Sequence, residues 1–385
     1  MVEPDKQDHP IMAIDRDGLN ALIQRLAAEG YQVIGPRVED AAVVLGPVAG
    51  VADLPAGWTD EQSGGHYRLV ADGKGEAGAL FGYTLAAQGW KRYLHPPRTR
   101  LWQAHREGRS WRVEAEAAPQ RYAFLGVRAC ELSAIGVLDR VFDNGQFTDP
   151  GYAARRSGTF IVAVNCGRAA ATCFCASMDT GPKAHAGFDL ALTELPGEDR
   201  AGFVVEVGSP AGAAMLQAIP HGPAAAADID AAERAVATAT AQMQRAAGGR
   251  EMVADAAGVL SRNAEHPLWD AVAARCLGCG NCTAVCPTCF CTSVEDTTDL
   301  SGEVAERWRR WDSCFTLDFS YIHGGSVRRG TASRYRQWIT HKLSYWHEQF
   351  GTSGCVGCGR CITWCPVGID ITEEARALAE SEWRT

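Results

Sequence analysis

Hydrophobic periodicity divides the first 220 residues of the chain into short helices and strands. One helix face is predicted by four apolar residues at the i, i+3, i+4, i+7 spacing, and Gly30 is expected to end that helix; the four are Leu19, Leu22, Ile23 and Leu26. A second helix is predicted over 131–142. Apolar runs bounded by Gly, Pro or polar residues predict strands with the sequences YQVIGP, AAVVLGPV, HYRLV, WRVEAEA, YAFLGV, FIVAV, FDLALTEL and FVVEV. This alternation favours a mixed α/β domain over residues 1–220.

The pattern becomes helical after this domain. Residues 223–247 are rich in Ala, which has the highest helix propensity, and Gly248 is expected to end the helix. A further helix over 266–275 leads directly into a cysteine. A last helix is predicted after Asp370, where Asp370 and Glu373 have the spacing of a capping box. We therefore expect a helical connector over 221–275 and a C-terminal helix over 371–385.

One motif occurs twice between these helices. CLGCGNCTAVCP (276–287) and CVGCGRCITWCP (355–366) share the pattern C-x-x-C-G-x-C-x-x-x-C-P. A shorter pair, TCFCASMDT (172–180) and TCFCTSVEDT (288–297), links the N-terminal domain to the segment that follows the first motif. The two long motifs bound a module over 276–370 with a long insertion between its halves.

Composition narrows the chemistry of the cysteines. Of 15 cysteines in 385 residues, 11 lie between Cys276 and Cys365, and the total is odd, which does not suit a disulfide framework. The N-terminus has no apolar segment typical of a secretory signal, and no uncharged apolar run approaches 18 residues. A net charge of −9 disfavours nucleic acid as a general partner. We expect a soluble, cytoplasmic protein, without a membrane or nucleic-acid partner, whose thiols are reduced.

The spacing of the repeated motif is that of proteins with two [4Fe–4S] clusters. In such a run three cysteines bind one cluster, and the fourth, before Pro, binds the cluster of the other repeat. Two ligand sets follow: Cys276, Cys279, Cys282 and Cys365 for cluster 1, and Cys286, Cys355, Cys358 and Cys361 for cluster 2. The alternative is zinc, which also binds Cys-x-x-Cys pairs but needs only two of them.

Seven cysteines lie outside the two repeats. Four of them follow predicted strands or occupy the next loop, where an α/β sheet brings strand ends together; they are Cys130, Cys166, Cys173 and Cys175. These four either bind a third [4Fe–4S] cluster or are buried free cysteines. The other three, Cys289, Cys291 and Cys314, either share a site with the N-terminal cysteines or pack around the two clusters.

Motifs for substrate turnover are not found in the sequence. It contains no G-x-G-x-x-G after a strand, no G-x-x-x-x-G-K-[ST] and no H-E-x-x-H. Redox centres without a turnover site indicate an electron carrier rather than a catalytic subunit. The insertion segment 303–348 has eight Arg or Lys against five acids and four Trp. We interpret it as a shielding layer around the clusters; a partner-docking surface and a single-strand-binding surface are the alternatives.

Five segments together resemble a known family: FLGVRACELSAI, NCGRAAATCFCASMDTGP, CLGCGNCTAVCPTCFCTSVED, RWRRWDSCFTLDFSYIHGGSVR and CVGCGRCITWCPVGIDI. They are similar to the beta iron–sulfur subunits of cytoplasmic NAD(P)-linked [NiFe] hydrogenases, or sulfhydrogenases, and to the iron–sulfur electron-transfer subunits of anaerobic sulfite reductases. The resemblance covers about residues 120–370. It implies electron transfer between a flavin-bearing NAD(P) subunit and nickel–iron subunits, and it extends to the four N-terminal cysteines.

The expected fold class is α+β. It combines the N-terminal α/β domain, the helical connector and a C-terminal ferredoxin-like module with two [4Fe–4S] clusters. The expected function is an electron relay in a cytoplasmic complex of the hydrogenase type. An electron-transfer subunit of an anaerobic sulfite reductase-type complex and a free-standing ferredoxin-like carrier are the alternatives, and a zinc-stabilised interaction module is a more distant one.

Overall fold

The computed structural model describes residues 10–74, 78–115, 120–195 and 202–381. Three sequence predictions fall partly outside these ranges. They concern the N-terminal residues 1–9, the end of the strand WRVEAEA and residues 382–385 of the C-terminal helix.

The strands of the described residues are short and lie mostly in the N-terminal half. They are β1 (Met12–Asp15), β2 (Gln32–Glu39), β3 (Ala42–Pro47), β4 (Trp58–Ser63), β5 (His66–Ala71), β6 (Arg98–Glu107), β7 (Ser110–Ala115), β8 (Tyr122–Val127), β9 (Phe160–Val164), β10 (Leu190–Glu194), β11 (Gly202–Val207), β12 (Gly222–Pro223), β13 (Thr292–Thr298), β14 (Val304–Trp311), β15 (Tyr321–Ile322) and β16 (Gly325–Ser326).

The helices become more frequent toward the C-terminus. They are α1 (Arg16–Ala28), α2 (Lys91–Leu94), α3 (Ala129–Phe142), α4 (Pro150–Ser157), α5 (Pro210–Gln217), α6 (Ala226–Met243), α7 (Ala256–Arg262), α8 (Leu268–Arg275), α9 (Asn281–Ala284), α10 (Thr331–Thr340), α11 (Trp346–Phe350), α12 (Arg360–Thr363) and α13 (Ile371–Glu380). A π-helical turn, His341–Tyr345, joins α10 to α11.

An eight-stranded mixed sheet forms the N-terminal half, in the order β12-β1-β11-β10-β9-β8-β2-β3. Its centre is parallel: β8 pairs with β2 and β9, and β9 pairs with β10. All five residues of β9 are buried, as expected for a strand covered on both faces. The predicted face of α1 is buried in the same core, so that prediction is confirmed. The mixture of helices and sheets confirms the α+β class.

A second sheet connects the insertion of the cysteine-rich module to the N-terminal half. Its order is β13-β14-β6-β7, and β14 pairs antiparallel with β6 across about 200 residues of sequence, from Val304 opposite His105 to Arg310 opposite Arg98. This pairing fixes the position of the β13–β14 hairpin. The open end of the hairpin adjoins Cys291 and Cys314.

A second hydrophobic core lies beneath the cysteine motifs. It is built from α7, α8, α10 and α13, with buried Trp338 and Leu378. The predicted capping box of α13 is wrong in one half. Asp370 accepts a hydrogen bond from the backbone N–H of Thr372 at 2.9 Å, but Glu373 pairs with Arg245 and Arg376, which compete for its carboxylate.

Candidate metal centres

The two cysteine motifs have the same backbone conformation. Gly278 and Gly357 have φ of +64° and +63°, and Gly280 and Gly359 have φ of +75° and +74°. Residues other than glycine rarely adopt this left-handed backbone conformation, which explains why glycine occupies these positions. In each motif a one-turn helix follows, α9 in the first and α12 in the second. The same loop is thus built twice, with a cysteine at each corresponding position.

The first motif and the last cysteine of the second surround a cavity of about 430 Å³, here called cavity 1. All four predicted cluster 1 ligands line it: Cys276, Cys279, Cys282 and Cys365. The rest of its wall is largely apolar and aromatic, including Phe315, Tyr335 and Trp338. Cys279 is the exposed member of the fifteen cysteines, so one edge of cavity 1 reaches the protein surface.

The second motif and the last cysteine of the first surround cavity 2, of about 330 Å³. All four predicted cluster 2 ligands line it: Cys286, Cys355, Cys358 and Cys361. Cys361, Trp338 and Ile371 line both cavities, which are therefore neighbours. The crossed arrangement of the fourth cysteines is the one that the sequence spacing predicts.

The donor set of both cavities fits iron–sulfur clusters. Each offers four thiols and a mostly apolar wall, and a [4Fe–4S] cube takes one thiolate on each iron. Burial raises the pKa of Cys355 and Cys358 to about 12, so these thiols need a bound cation to become thiolates near neutral pH. Among the described residues, no three Cys, His, Asp or Glu side chains lie close enough together to hold a single metal ion.

Cavity 2 contains a buried cation, Lys342. Its ammonium donates a hydrogen bond to the Thr288 hydroxyl at 2.7 Å and lies near the thiols of Cys286 and Cys355. Burial by itself lowers the pKa of Lys342, but the neighbouring cysteines raise it well above its usual value. A charged lysine in this position favours negative charge on the sulfur ligands.

The four N-terminal cysteines are brought together beside cavity 2. Cys130 and Cys166 follow β8 and β9, which are adjacent and parallel, so both emerge at the same edge of the sheet. The thiols of Cys130 and Cys175 form a hydrogen bond, and Cys173 is influenced electrostatically by Cys130 and Cys166. Burial raises the pKa of Cys166 to about 11. These residues are called the N-terminal cysteine group.

Direct packing fixes the N-terminal cysteine group against the second motif. The backbone N–H of Phe174 donates to the carbonyl of Gly357 at 2.8 Å. A side chain at Gly359 would collide with the carbonyl of Thr172, so a glycine is required there. Cys358 of cavity 2 lies close enough to affect both Cys173 and Cys175 electrostatically.

A buried ion pair joins the same two regions. Arg360 of the second motif pairs with Glu131 of α3, and the two side chains are 2% and 5% exposed. Glu131 also accepts a hydrogen bond from the indole N–H of Trp90 at 3.0 Å. Buried charges of this kind require their partner, because an unpaired one costs several kcal/mol. Neither residue of the pair was singled out from the sequence, because they are separated by 229 positions.

The remaining cysteines, Cys289, Cys291 and Cys314, lie at the open end of the β13–β14 hairpin. Cys291 precedes β13 and Cys314 follows β14, and the backbone N–H of Asp312 donates to the carbonyl of Cys291 at 2.8 Å. A hydrogen bond from the Cys314 thiol lowers the pKa of Cys291 to about 7. Cys289 lies beside Cys286, and Cys314 lies near Cys282. The name hairpin cysteine group is used for these three residues.

The basic and aromatic residues of segment 303–348 make internal contacts. Arg307 and Arg310 pair with acids on β13, and Arg309 pairs with Asp149. Trp338 and Trp346 are buried. These contacts favour the interpretation of the segment as a layer around the cysteine cavities over that of a free nucleic-acid surface.

Comparison with known proteins agrees with the geometry. A family model described as a 4Fe-4S dicluster domain matches residues 275–369. The chain is 35% identical over 268 residues to sulfhydrogenase 2 subunit beta of Pyrococcus furiosus; the alignment covers 66% of this chain and 74% of that protein. No solved structure shows a significant match. Within the described ranges, every helix is too short or too polar to cross a bilayer.

Proposed function

The chain belongs to the sulfhydrogenase beta subunit family, and we propose that it relays electrons between a flavin- and NAD(P)-binding subunit and [NiFe] hydrogenase subunits of a cytoplasmic complex. As a member of that family it is an iron–sulfur electron-transfer subunit, and its dicluster domain carries two [4Fe–4S] clusters. The proposal concerns which residues hold them and which proteins exchange electrons with them.

The observation that carries the proposal is the pair of adjoining cavities. Each is lined by one complete set of four cysteines expected from the repeat, and Cys361 lines both. Two centres in adjoining cavities that share a wall are suited to passing electrons rather than to turning over a substrate.

The protein's own residues hold, separate and insulate the centres. Clusters in these cavities supply one-electron transfer, with potentials set by burial, hydrogen bonds and nearby charge. Buried Trp338 and Ile371 line both cavities and exclude water from the region between them. The exposed edge at Cys279 makes cavity 1 the end at which a redox partner approaches most closely.

The N-terminal cysteine group extends this line of centres. We propose that Cys130, Cys166, Cys173 and Cys175 bind a third [4Fe–4S] cluster beside cluster 2. The support is their convergence at one sheet edge and their packing against Cys358. The order of centres is then cluster 1, cluster 2 and the N-terminal cluster, with cluster 2 in the middle.

Replacement of single ligands tests the relay. Cys282→Ser and Cys361→Ser should each remove one cluster from the anaerobically purified complex. NAD(P)-linked hydrogen oxidation should fall at least tenfold, while dye-linked hydrogen oxidation at the nickel subunits should stay at the wild-type rate. Thr363→Ser, on the same one-turn helix as Cys361, is the matched control and should change neither activity. Unchanged NAD(P)-linked activity in the cysteine variants would refute the relay.

Co-purification identifies the complex. Nickel and flavin in the purified complex support the proposed partners. Sirohaem in their place would assign the chain to an anaerobic sulfite reductase-type complex, and a stable isolated monomer would indicate a free-standing carrier.

A further inference from the structure

The hairpin cysteine group is not used by either dicluster cavity, although it lies between them. Cys289 contacts Cys286 of cavity 2, and Cys314 lies near Cys282 of cavity 1. Cys289 and Cys291 line a third cavity, here called cavity 3, together with Lys91, Asp312 and Cys279, which also lines cavity 1. Pairing of the hairpin strands places Cys291 and Cys314 beside each other at the open end of the hairpin, where each influences the pKa of the other.

Two buried lysines flank this group of thiols. Lys91 and Lys342 are 5% and 6% exposed, and each lies close enough to disfavour the charge of the other. The Lys91 ammonium donates to the carbonyl of Cys289 at 2.9 Å and lies 3.8 Å from the centre of the Trp311 ring. The groups of the described chain that favour its charge most are the thiols of Cys289, Cys286 and Cys291.

Burial lowers the pKa of Lys91, and anionic charge close to its amine offsets that cost, because isolated buried charges are unfavourable. Cluster 2 supplies such charge for Lys342, which lines cavity 2. Lys91 lines cavity 3 instead, together with Cys289, Cys291 and the Asp312 carboxylate, and Cys289 favours its charge more than Cys286 of cavity 2 does. That carboxylate already accepts hydrogen bonds from Ser293 and from the backbone N–H of Ser313.

We propose that Cys289, Cys291 and Cys314 bind a further iron–sulfur cluster as thiolates, with the Lys91 ammonium as its buried counter-charge. Three thiolates bind three irons of a four-iron cube and leave the fourth iron without a cysteine from this group. A disulfide between Cys291 and Cys314 does not explain the site, because it is uncharged, supplies no negative charge to Lys91 and does not involve the Cys289 thiol. The proposal does not depend on which subunits bind the chain.

Iron analysis of a double variant tests this site. Cys291→Ala with Cys314→Ala should remove about four irons and the matching acid-labile sulfide from each chain of the anaerobically purified complex. The electron paramagnetic resonance signals that Cys282→Ser and Cys361→Ser remove should remain. Thr316→Ser, on the wall of cavity 3, is the matched control and should keep all the iron. Wild-type iron content and spectra in the double variant would overturn the proposal, whereas the relay is tested separately by the cluster 1 and cluster 2 variants.

Alkylation of the wild-type complex tests the same site without a substitution. In the folded, iron-loaded complex under anaerobic conditions, the hairpin cysteines should resist iodoacetamide. After the iron is removed with a chelator and an oxidant and the thiols are reduced again, all three should become labelled, as measured by mass spectrometry. Rapid labelling of Cys291 in the iron-loaded complex would contradict the proposal even if the double variant did not fold.

The role of Lys91 has its own measurement. Lys91→Met removes the positive charge and should lower the reduction potential of the signal that the double variant abolishes, while Lys91→Arg should retain it. An unchanged potential in Lys91→Met would overturn the assignment of the counter-charge.

Discussion

The two cysteine motifs have the same backbone but different surroundings. Position 281 of the first motif and position 360 of the second are equivalent, yet the first is Asn and the second is Arg. Asn281 is exposed and its side-chain amide makes a long hydrogen bond of 3.4 Å to the carbonyl of Trp364. Arg360 is buried and pairs with Glu131. One motif is therefore exposed to solvent at this position, and the other is docked onto α3.

The two cavities also differ in charge and in exposure to solvent. Cavity 2 contains Lys342, which is buried beside the cysteine thiols, whereas cavity 1 has exposed walls at Leu277 and Val367. A buried positive charge stabilises the more negative, reduced form of a neighbouring cluster. We infer that the same ligand pattern supports two centres with different potentials, and that their surroundings cause the difference.

The largest expected effect comes from breaking the docking contact of the second motif. Arg360→Met leaves Glu131 buried without its partner and should destabilise the chain by about 3–5 kcal/mol. The equivalent change in the first motif, Asn281→Met, should cost less than about 1 kcal/mol because the position is exposed. The unfolding midpoint of the purified complex in denaturant, measured anaerobically, checks both values.

A double substitution separates the ion pair from the packing. Glu131→Met combined with Arg360→Met should recover part of the stability lost in Arg360→Met, because no unpaired charge remains. Equal destabilisation by the Asn281 and Arg360 variants would show that the two motifs do not differ in the proposed way.

A smaller effect is expected from the charge in cavity 2. Lys342→Met should lower the reduction potential of cluster 2 and leave that of cluster 1 nearly unchanged. A unit charge 4–8 Å from a partly buried centre contributes on the order of 2–4 kcal/mol at the effective dielectric constant of proteins. Redox titration monitored by electron paramagnetic resonance measures both potentials, and Lys342→Arg is the control that keeps the charge. A shift of both potentials by the same amount would remove the distinction between the cavities.

Short-range patterns were sufficient to predict the two sets of cysteines that the structure gathers around cavities 1 and 2. Three members of each set fall within seven residues. The motif also predicts that the fourth cysteine of each repeat joins the set of the other repeat. The strands before Cys130 and Cys166 also allowed their convergence to be expected, since parallel neighbours end at one sheet edge. The ligand roles of all these cysteines remain predictions.

Long-range contacts were not accessible from the sequence. The burial of Lys342 depends on how the π-helical turn packs against Thr288, and the pairing of Arg360 with Glu131 depends on how the second motif docks onto α3. The hairpin cysteine group depends on β14 pairing with β6, two strands that are distant in sequence and have no local signal for each other. The repeated sequence TCFC was the signal available for Cys289 and Cys291, and it did not identify a partner.

The smallest expected effect is a loss of folding stability at acid pH that arises from His341, which lies next to Lys342. Burial, followed by the charge of Lys342, lowers the pKa of His341 to about 4. In the unfolded chain the pKa of His341 is about 6.5. As the pH falls from 6.5 toward 4, His341 therefore binds a proton in the unfolded chain but not in the folded chain. The stability that depends on neutral His341 is therefore present above pH 6.5 and is lost through this window.

Partial solvent screening limits that loss to about 1 kcal/mol between pH 7.5 and 5.5. His341→Phe should flatten this part of the anaerobic pH–stability profile, and His323→Phe, on the exposed turn between β15 and β16, should leave it as in the wild type. Lys342→Met should act in the same direction as His341→Phe but less strongly, because it removes only the second cause of the lowered pKa. An unaltered pH–stability profile in Lys342→Met would mean that the charge of Lys342 does not lower the pKa of His341.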